Sequence, residues 1–295
     1  MSSSHFALAS QLQHEEFRIL TAIEISMRKF EWVPLKNINF YARLDDPEKV
    51  QHWLNIVHKK GLLIRRMTNT MGYQLNSMGY DLLAVHALSE QNVVVSIGNS
   101  LGMGKESDVY QGIGPDGEFL ALKFHRIGRT SFRAIKEKRD YVVGKYHTSW
   151  LYMCRISATR EAEHLQQLNA IGADVPAFRG HNRHVVVMKQ YEGQEIQEFP
   201  ELENPQDIFD KVIANVKRIY DEAGLIHADL GEYNIIYTAD NNVIIIDWPQ
   251  AVKKDHPNAR MLMRRDIENV CKYFARYNVA SDPESIVDQI ISGAS

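Results

Sequence analysis

Along residues 1–90 the apolar positions recur at helical spacing. Phe17, Leu20, Ile23 and Met27 stand three or four residues apart behind Glu15 and Glu16, acids that suit a helix N-terminus. A further helix opens at Asp46-Pro47-Glu48, where the aspartate can cap and the proline lacks only an N–H that has no partner there. Val50, Trp53, Leu54 and Val57 form its apolar face, and Gly61 ends it. Leu62-Leu63-Ile64 and Tyr73-Gln74-Leu75, on either side of the polar turn Thr68-Asn69-Thr70, predict a hairpin, and a last helix from Ser77 carries Leu82, Leu83 and Val85. After Asn92 the pattern changes to strands: Val93-Val94-Val95-Ser96-Ile97, then Phe119-Leu120-Ala121-Leu122-Lys123-Phe124 behind the turn Pro115-Asp116-Gly117. Ser157 to Leu168 predicts a helix ended by Gly172. Residues 126–149 are basic and poorly periodic, which predicts a long mobile loop.

Helices closed by a hairpin make a winged-helix pattern, so the chain divides into a winged-helix domain over 1–90 and a second domain over 91–295. A groove-facing helix would present Lys49, Gln51, Asn55, His58, Lys59 and Lys60 to a nucleic acid; the plainer alternative is a helical protein-contact module. With 295 residues, 44% of them apolar and 24% charged, the composition is that of a globular protein. No apolar run is long enough to span a membrane, and the start lacks the pattern of a signal peptide. Two cysteines, Cys154 and Cys271, are too few for a disulfide framework and suit a cytoplasmic setting. The net charge of −3 excludes a uniformly basic nucleic-acid binder. Between Lys123 and Lys145, however, eight basic residues face two acids, a local field able to attract a polyanion.

The candidate chemistry lies in the second domain. Gly98, Gly102 and Gly104 precede Lys105-Glu106-Ser107 and are followed by a strand, whereas a dinucleotide fold or a Walker loop needs a helix directly after its glycines. Strand, glycine loop, strand, then a lysine on the next strand is the protein-kinase arrangement, and Lys123 fits that lysine. Glu161 shares a helical stripe with Leu165 and Leu168, unlike Glu163, and is the better partner for Lys123. His227-Ala228-Asp229-Leu230-Gly231-Glu232-Tyr233-Asn234 is an Asp-x-x-x-x-Asn loop, and the strand Val243-Ile244-Ile245-Ile246 delivers Asp247. Phosphoryl transfer needs a carboxylate at the acceptor, for which Asp229 suits, and oxygen ligands for Mg²⁺, for which Asn234 and Asp247 suit. His181 and His184 lack companions for a metal site and read as surface residues around a tight turn at Asn182-Arg183.

Gly104-Lys105-Glu106-Ser107-Asp108-Val109, the His227 to Asn234 loop and Ile246-Asp247-Trp248-Pro249-Gln250 resemble the RIO atypical serine/threonine kinases. The N-terminal winged helix, the proline after Asp247-Trp248, His256-Pro257-Asn258-Ala259 and Arg265-Asp266 resemble their second, winged-helix subfamily. The resemblance spans essentially the whole chain. It implies an α+β fold: the winged helix, then a compact two-lobed kinase-like domain with a small lobe near 91–188 and a large lobe near 189–295. By position it implies nucleotide contacts at Gly104, Lys105, Ser107, Val109, Lys123 and Met188, and at the backbone of Lys189 and Tyr191. The cofactors implied are ATP with Mg²⁺ or Mn²⁺. Catalytic roles fall to Asp229, Lys123 and Glu161, metal binding to Asn234 and Asp247, and Asp247 can itself accept the phosphoryl group.

Relative to ordinary protein kinases, Ser107 replaces a loop glycine, Ala228 replaces the catalytic-loop arginine, and Asp247-Trp248-Pro249 replaces Asp-Phe-Gly. The resemblance further implies action on the small ribosomal subunit precursor; the basic run and the winged helix offer Lys59, Lys60, Arg129, Arg133, Lys136 and Arg139 as RNA contacts, and the cytoplasmic protein is expected as a monomer, a state the sequence does not fix. The chain ends soon after the kinase core, which points to an archaeal source. Two other classes compete: a small-molecule phosphotransferase of the antibiotic-kinase type, which lacks the winged helix, and a non-catalytic nucleic-acid regulator, against which the intact Lys123, Glu161, Asp229, Asn234 and Asp247 argue.

Overall fold

The computed structural model describes residues 8–67, 70–127 and 150–293, which fold as two compact units. The first comprises Met1–Thr159 and Arg179–Val187, the second Arg160–Phe178 and Met188–Ser295. Helix α1 (His14–Ser26) opens on a capping box in which Glu16 accepts the Gln13 amide at 2.9 Å. Strand β1 (Val33–Pro34) and helices α2 (Leu35–Ala42) and α3 (Pro47–Lys59) follow, α3 capped by Asp46, whose Oδ1 accepts the Glu48 amide at 2.8 Å. Strands β2 (Leu63–Met67) and β3 (Met71–Leu75) form the wing, in a sheet ordered β1-β3-β2. Thr68 and Asn69 of the expected turn lie outside the described residues. Asn76 caps helix α4 (Ser77–Glu90).

Strands β4 (Ser96–Met103), β5 (Ser107–Ile113) and β6 (Phe119–His125) are joined by antiparallel hairpins, and helix α5 spans Trp150–Ala170. Strands β7 (Phe178–Asn182) and β8 (Val185–Lys189) complete a five-stranded sheet ordered β4-β5-β6-β8-β7. The winged helix is not a separate body: Ala84, Val85 and Leu88 of α4 share one core with Tyr110, Leu120, Leu122, Phe124, Val185 and Val187 of this sheet. Each large apolar side chain so buried contributes about 1.5–3 kcal/mol, so this junction belongs to the unit's main stabilisation.

Several expectations change. Strand β4 runs through Gly98 and Gly102, with register shifts on either side of Ser100, so the glycine turn shrinks to residues 104–106. Helix α5 already includes Trp150, ahead of the expected start at Ser157. Leu151, Cys154 and Ala158 belong to its buried stripe, and Ser157 sits inside with its hydroxyl 3.0 Å from His125 Nδ1. Arg126 is buried rather than part of a solvated loop. His184 is wholly buried too: the turn at Arg183, whose φ is 55°, tucks its ring against Tyr80 at 4.5 Å, with Nε2 2.7 Å from Asp81. The remainder of the basic segment, 128–149, lies outside the described residues.

In the second unit, β9 (Gly193–Glu195), α6 (Pro205–Arg218), β10 (Leu225–Ile226), β11 (Ile235–Thr238), β12 (Val243–Ile245), β13 (Val252–Lys253), α7 (Ala259–Phe274) and α8 (Pro283–Ser292) follow in order. Sheets β12-β11-β9 and β10-β13 frame the loops that carry Asp229 and Asp247. Among the described residues, no helix is long and apolar enough to cross a membrane.

Candidate active site

In the first unit the turn between β4 and β5 is closed by the Gly104 amide donating to the Ser107 carbonyl at 2.8 Å. A Cβ on Gly104 would stand 3.3 Å from that oxygen, so the tight turn favours glycine. Lys123, 8% exposed, pairs across the ladder with Val109, and Ser107 pairs with His125. Gly104, Lys105, Ser107, Val109 and Lys123 thus share one stretch of the β4–β5–β6 sheet.

In the second unit the Asp229 loop is held from beneath. Asp266 on α7 accepts the amides of Ala228 at 2.7 Å and Leu230 at 3.0 Å, the residues on either side of Asp229. Arg265 donates to the Ala228 carbonyl and Asn269 to the Leu230 carbonyl. These contacts hold Ala228 at φ 65°, a left-handed backbone that costs an L-residue about 1–2 kcal/mol. Asp229 itself is exposed. Burial pushes the Asp266 carboxyl up to about 6; the amides of Leu230 and Ala228 and the Arg265 charge oppose the shift, and the Asp229 charge adds to it.

Asp247 also has a left-handed backbone, φ 72°, and its neighbours are pinned. His227 Nε2 lies 2.9 Å from the Ile246 carbonyl, so that nitrogen carries the proton and donates. By the same reasoning His164 Nδ1 donates to the Trp248 carbonyl at 2.8 Å. The Trp248 amide donates to Glu161 Oε1 at 3.3 Å, and its indole N–H to the Ile245 carbonyl at 2.8 Å. The Asn234 amide nitrogen donates to the Asp229 carbonyl at 2.8 Å, and the Ile246 amide donates to the Asn234 carbonyl at 2.9 Å. The Asp229, Asn234 and Asp247 segments therefore form one hydrogen-bonded network.

Asp266, His227, His164 and the Glu161–Trp248 contact escaped sequence reasoning. Asp266 and His227 left a trace, as motif residues without a role. One backbone assignment changes: the Lys189 amide donates to the Ala177 carbonyl at 2.8 Å, which leaves only its carbonyl for an adenine edge. Met188 is buried and Tyr191 half-buried, with the Lys189 ammonium 5.4 Å from the Tyr191 ring centroid. Of the nucleic-acid candidates, Lys59 is exposed, whereas the Lys60 ammonium is held by the buried Glu16 at 2.7 Å. Arg129, Arg133, Lys136 and Arg139 lie outside the described residues.

A glycine turn between strands, a buried lysine on the next strand, and an Asp-x-x-x-x-Asn loop bonded to an aspartate strand define a protein-kinase-like phosphotransferase. The family model of the RIO domain matches residues 108–286, and that of the Rio2 N-terminal domain matches 9–91. The RIO-type serine/threonine-protein kinase Rio2 of Methanocaldococcus jannaschii is 43% identical over 271 residues, 90% of this chain and 98% of that protein. The serine/threonine-protein kinase rio2 of Schizosaccharomyces pombe is 35% identical over 281 residues, 94% of this chain and 80% of that protein. The crystal structure of the Rio2 kinase-ADP/Mg²⁺-phosphoaspartate complex from Chaetomium thermophilum matches with a TM-score of 0.81 at 30% identity, covering 97% of this chain and 92% of that one. The chain belongs to the Rio2 branch of the RIO-type serine/threonine-protein kinases.

Proposed function

We propose that the chain binds ATP with Mg²⁺ and moves the γ-phosphoryl group to a carboxylate, hydroxyl or water during maturation of the small ribosomal subunit. The observation that carries the chemistry is the left-handed Asp247, fixed by hydrogen bonds on both flanking residues and one shared carbonyl away from Asn234. Strain of this kind persists where surrounding contacts over-determine it, and it clusters at reacting groups. The related Rio2 complex containing ADP, Mg²⁺ and phosphoaspartate supports the reading.

The donor set fits Mg²⁺. Among the described residues no group of three or more His, Cys, Asp or Glu forms a cation cage, and a nucleotide-borne Mg²⁺ needs only one or two protein oxygens beside the phosphates. Asn234 spends its amide nitrogen on Asp229, so its Oδ1 is the atom left for a cation, with the Asp247 carboxylate as the second ligand. Bound Mg²⁺ would screen the charge of the β- and γ-phosphates. In the proposed roles Lys123 orients phosphates, Glu161 sets the lysine, and the turn at Gly104, Lys105 and Ser107 covers the phosphates while Val109 and Met188 border the adenine. The Lys189 carbonyl and Tyr191 amide meet its polar edge. An Asp247 oxygen attacks the γ-phosphorus as the bond to the ADP oxygen breaks, and ADP leaves with the electron pair. Water, deprotonated by Asp229, then cleaves the acyl phosphate and regenerates the carboxylate.

The ribosomal assignment rests on the family resemblance and the winged helix. In it Lys59, with Arg129, Arg133, Lys136 and Arg139, meets RNA phosphates, while Lys60 contributes less because Glu16 holds it. The test is incubation with γ-labelled ATP, with and without purified small-subunit particles, following free phosphate, label on the chain and label on particle proteins. Turnover that responds to the particles supports the reading; turnover indifferent to them, or none at all, contradicts it.

A further inference from the structure

Arg126 joins three parts of the first unit. Its Nη1 and Nη2 donate to Asp81 Oδ1 and Oδ2 at 2.6 and 2.8 Å, and its Nε donates to Asp108 Oδ2 at 2.8 Å. Its main-chain N–H donates to the Glu106 carbonyl at 2.6 Å. Glu106 and Asp108 are the residues on either side of Ser107, so one arginine grips the β4–β5 turn by backbone on one side and by side chain on the other. Arg126 follows Lys123 by three residues along the same stretch of chain, and Asp81 belongs to α4 of the winged helix.

The three side chains are essentially withdrawn from water, at 2%, 2% and 0% exposure for Asp81, Arg126 and Asp108. Burial alone would raise the Asp81 carboxyl, but the His184 hydrogen bond and the Arg126 charge hold it below the usual carboxylate range. An ionised carboxylate only accepts, so His184 Nε2 carries the proton toward Asp81, and the 3.2 Å approach of Arg126 Nη1 to that nitrogen is not a hydrogen bond. With each guanidinium nitrogen spent on a carboxylate, Arg126 is unsuited to bind phosphate. Its contribution is geometric. A buried ion pair adds little stability over a well-packed apolar replacement, so its worth lies in fixing one arrangement of the groups it joins.

We propose that Asp81, Arg126 and Asp108 are positioning residues for phosphate binding, and that they tie the Gly104–Ser107 turn to the winged-helix domain. This rests on the reading of that turn as the phosphate loop. A load on the winged helix is thereby transmitted through one rigid side chain to the residues flanking Ser107, with no need for the partner to touch the nucleotide.

The test compares ATP–Mg²⁺ with adenosine, which lacks phosphates, as ligands of the full chain by calorimetry, alongside KM and kcat. Asp81→Asn keeps the side-chain shape and removes the charge. Arg126→Lys keeps the charge, but an ammonium cannot serve both carboxylates in the guanidinium's fork geometry. Circular dichroism and thermal melting establish that each variant is folded. Expected in both is a loss of ATP affinity of about tenfold, the order expected when a positioning contact is lost, with KM rising more than kcat falls and adenosine affinity unchanged. An unchanged ATP affinity in a folded variant, or an equal loss for ATP and adenosine, would overturn the proposal. Wild-type protein that binds ATP no more tightly than adenosine would instead overturn the phosphate-loop reading itself, and the proposal with it.

Discussion

Replacing Asp266 by asparagine separates the stability of the Asp229 loop from its activity, because the two respond to pH with opposite sign. Burial lifts the Asp266 carboxyl from an ordinary 3.8 to about 6 in the folded protein, so the folded state holds the proton more tightly than the unfolded chain. The resulting stabilisation is present in full below about pH 4 and is lost as the pH rises through about 6. Two pKa units at about 1.4 kcal/mol each give about 3 kcal/mol over this window. The ionised form is nonetheless the one that accepts both the Ala228 and Leu230 amides, since a protonated carboxyl gives up acceptor capacity. The wild type should therefore lose stability and gain catalytic-loop order as the pH rises from 4 to 6.5. Asp266→Asn has no proton to exchange and sets an NH₂ against one of the two amides, an unsatisfied contact that costs about 1–3 kcal/mol. The assay is urea unfolding of both proteins at intervals from pH 4 to 7.5. The wild-type minus variant difference should fall by about 3 kcal/mol across the window and then level off. Turnover of the variant, measured above pH 7 where the protein is folded, should fall well below wild type. Parallel unfolding curves would refute the placement of a buried, proton-binding Asp266 beneath the loop.

The remaining expectations are simpler. Ala228→Gly removes the left-handed penalty at φ 65° at some cost in unfolded-chain entropy, for a net gain of about 0.5–1 kcal/mol and a midpoint raised by a few degrees in thermal melting. Lys123→Met should abolish turnover and weaken ATP binding, whereas Asp229→Ala should abolish turnover with ATP affinity largely intact by calorimetry; near-wild-type phosphate release by the Asp229 variant would exclude its role. Serine at Arg129, Arg133, Lys136 and Arg139 together should leave ATP affinity unchanged. It should also make the log–log salt slope of small-subunit binding shallower by about three to four, as expected for four lost phosphate contacts.

The architecture was legible where local chemistry dictates it. Asp46-Pro47 starts α3, the wing follows the apolar pairs around residues 62–64 and 73–75, and the Asp-x-x-x-x-Asn loop stands directly before its strand. What was missed depends on long-range pairing. Arg126 looked like one more charge in a basic run, because nothing local signals that Asp81, far earlier in the chain, would neutralise it. His184 looked like a turn residue, yet its ring fills the space between Tyr80 and Asp81. Ser157 looked like a helix start because the apolar stripe was read from there to Leu168, but the helix already runs through Trp150, about two turns earlier, with Leu151 and Cys154 buried on the same face. The contacts that hold Asp247 in place are mostly to backbone carbonyls and amides, which carry no residue-type signal at all.

The central claim is that Asp247 sits where phosphate arrives, and chemical lability of the label tests it most directly. Protein is incubated with γ-labelled ATP and Mg²⁺, quenched in acid, and divided between neutral hydroxylamine and buffer. Hydroxylamine should remove the label from the wild-type chain, since an acyl phosphate is cleaved by that nucleophile and a phosphoserine is not, and Asp247→Asn should carry no such label. Label that resists hydroxylamine, or that persists in Asp247→Asn, would contradict it.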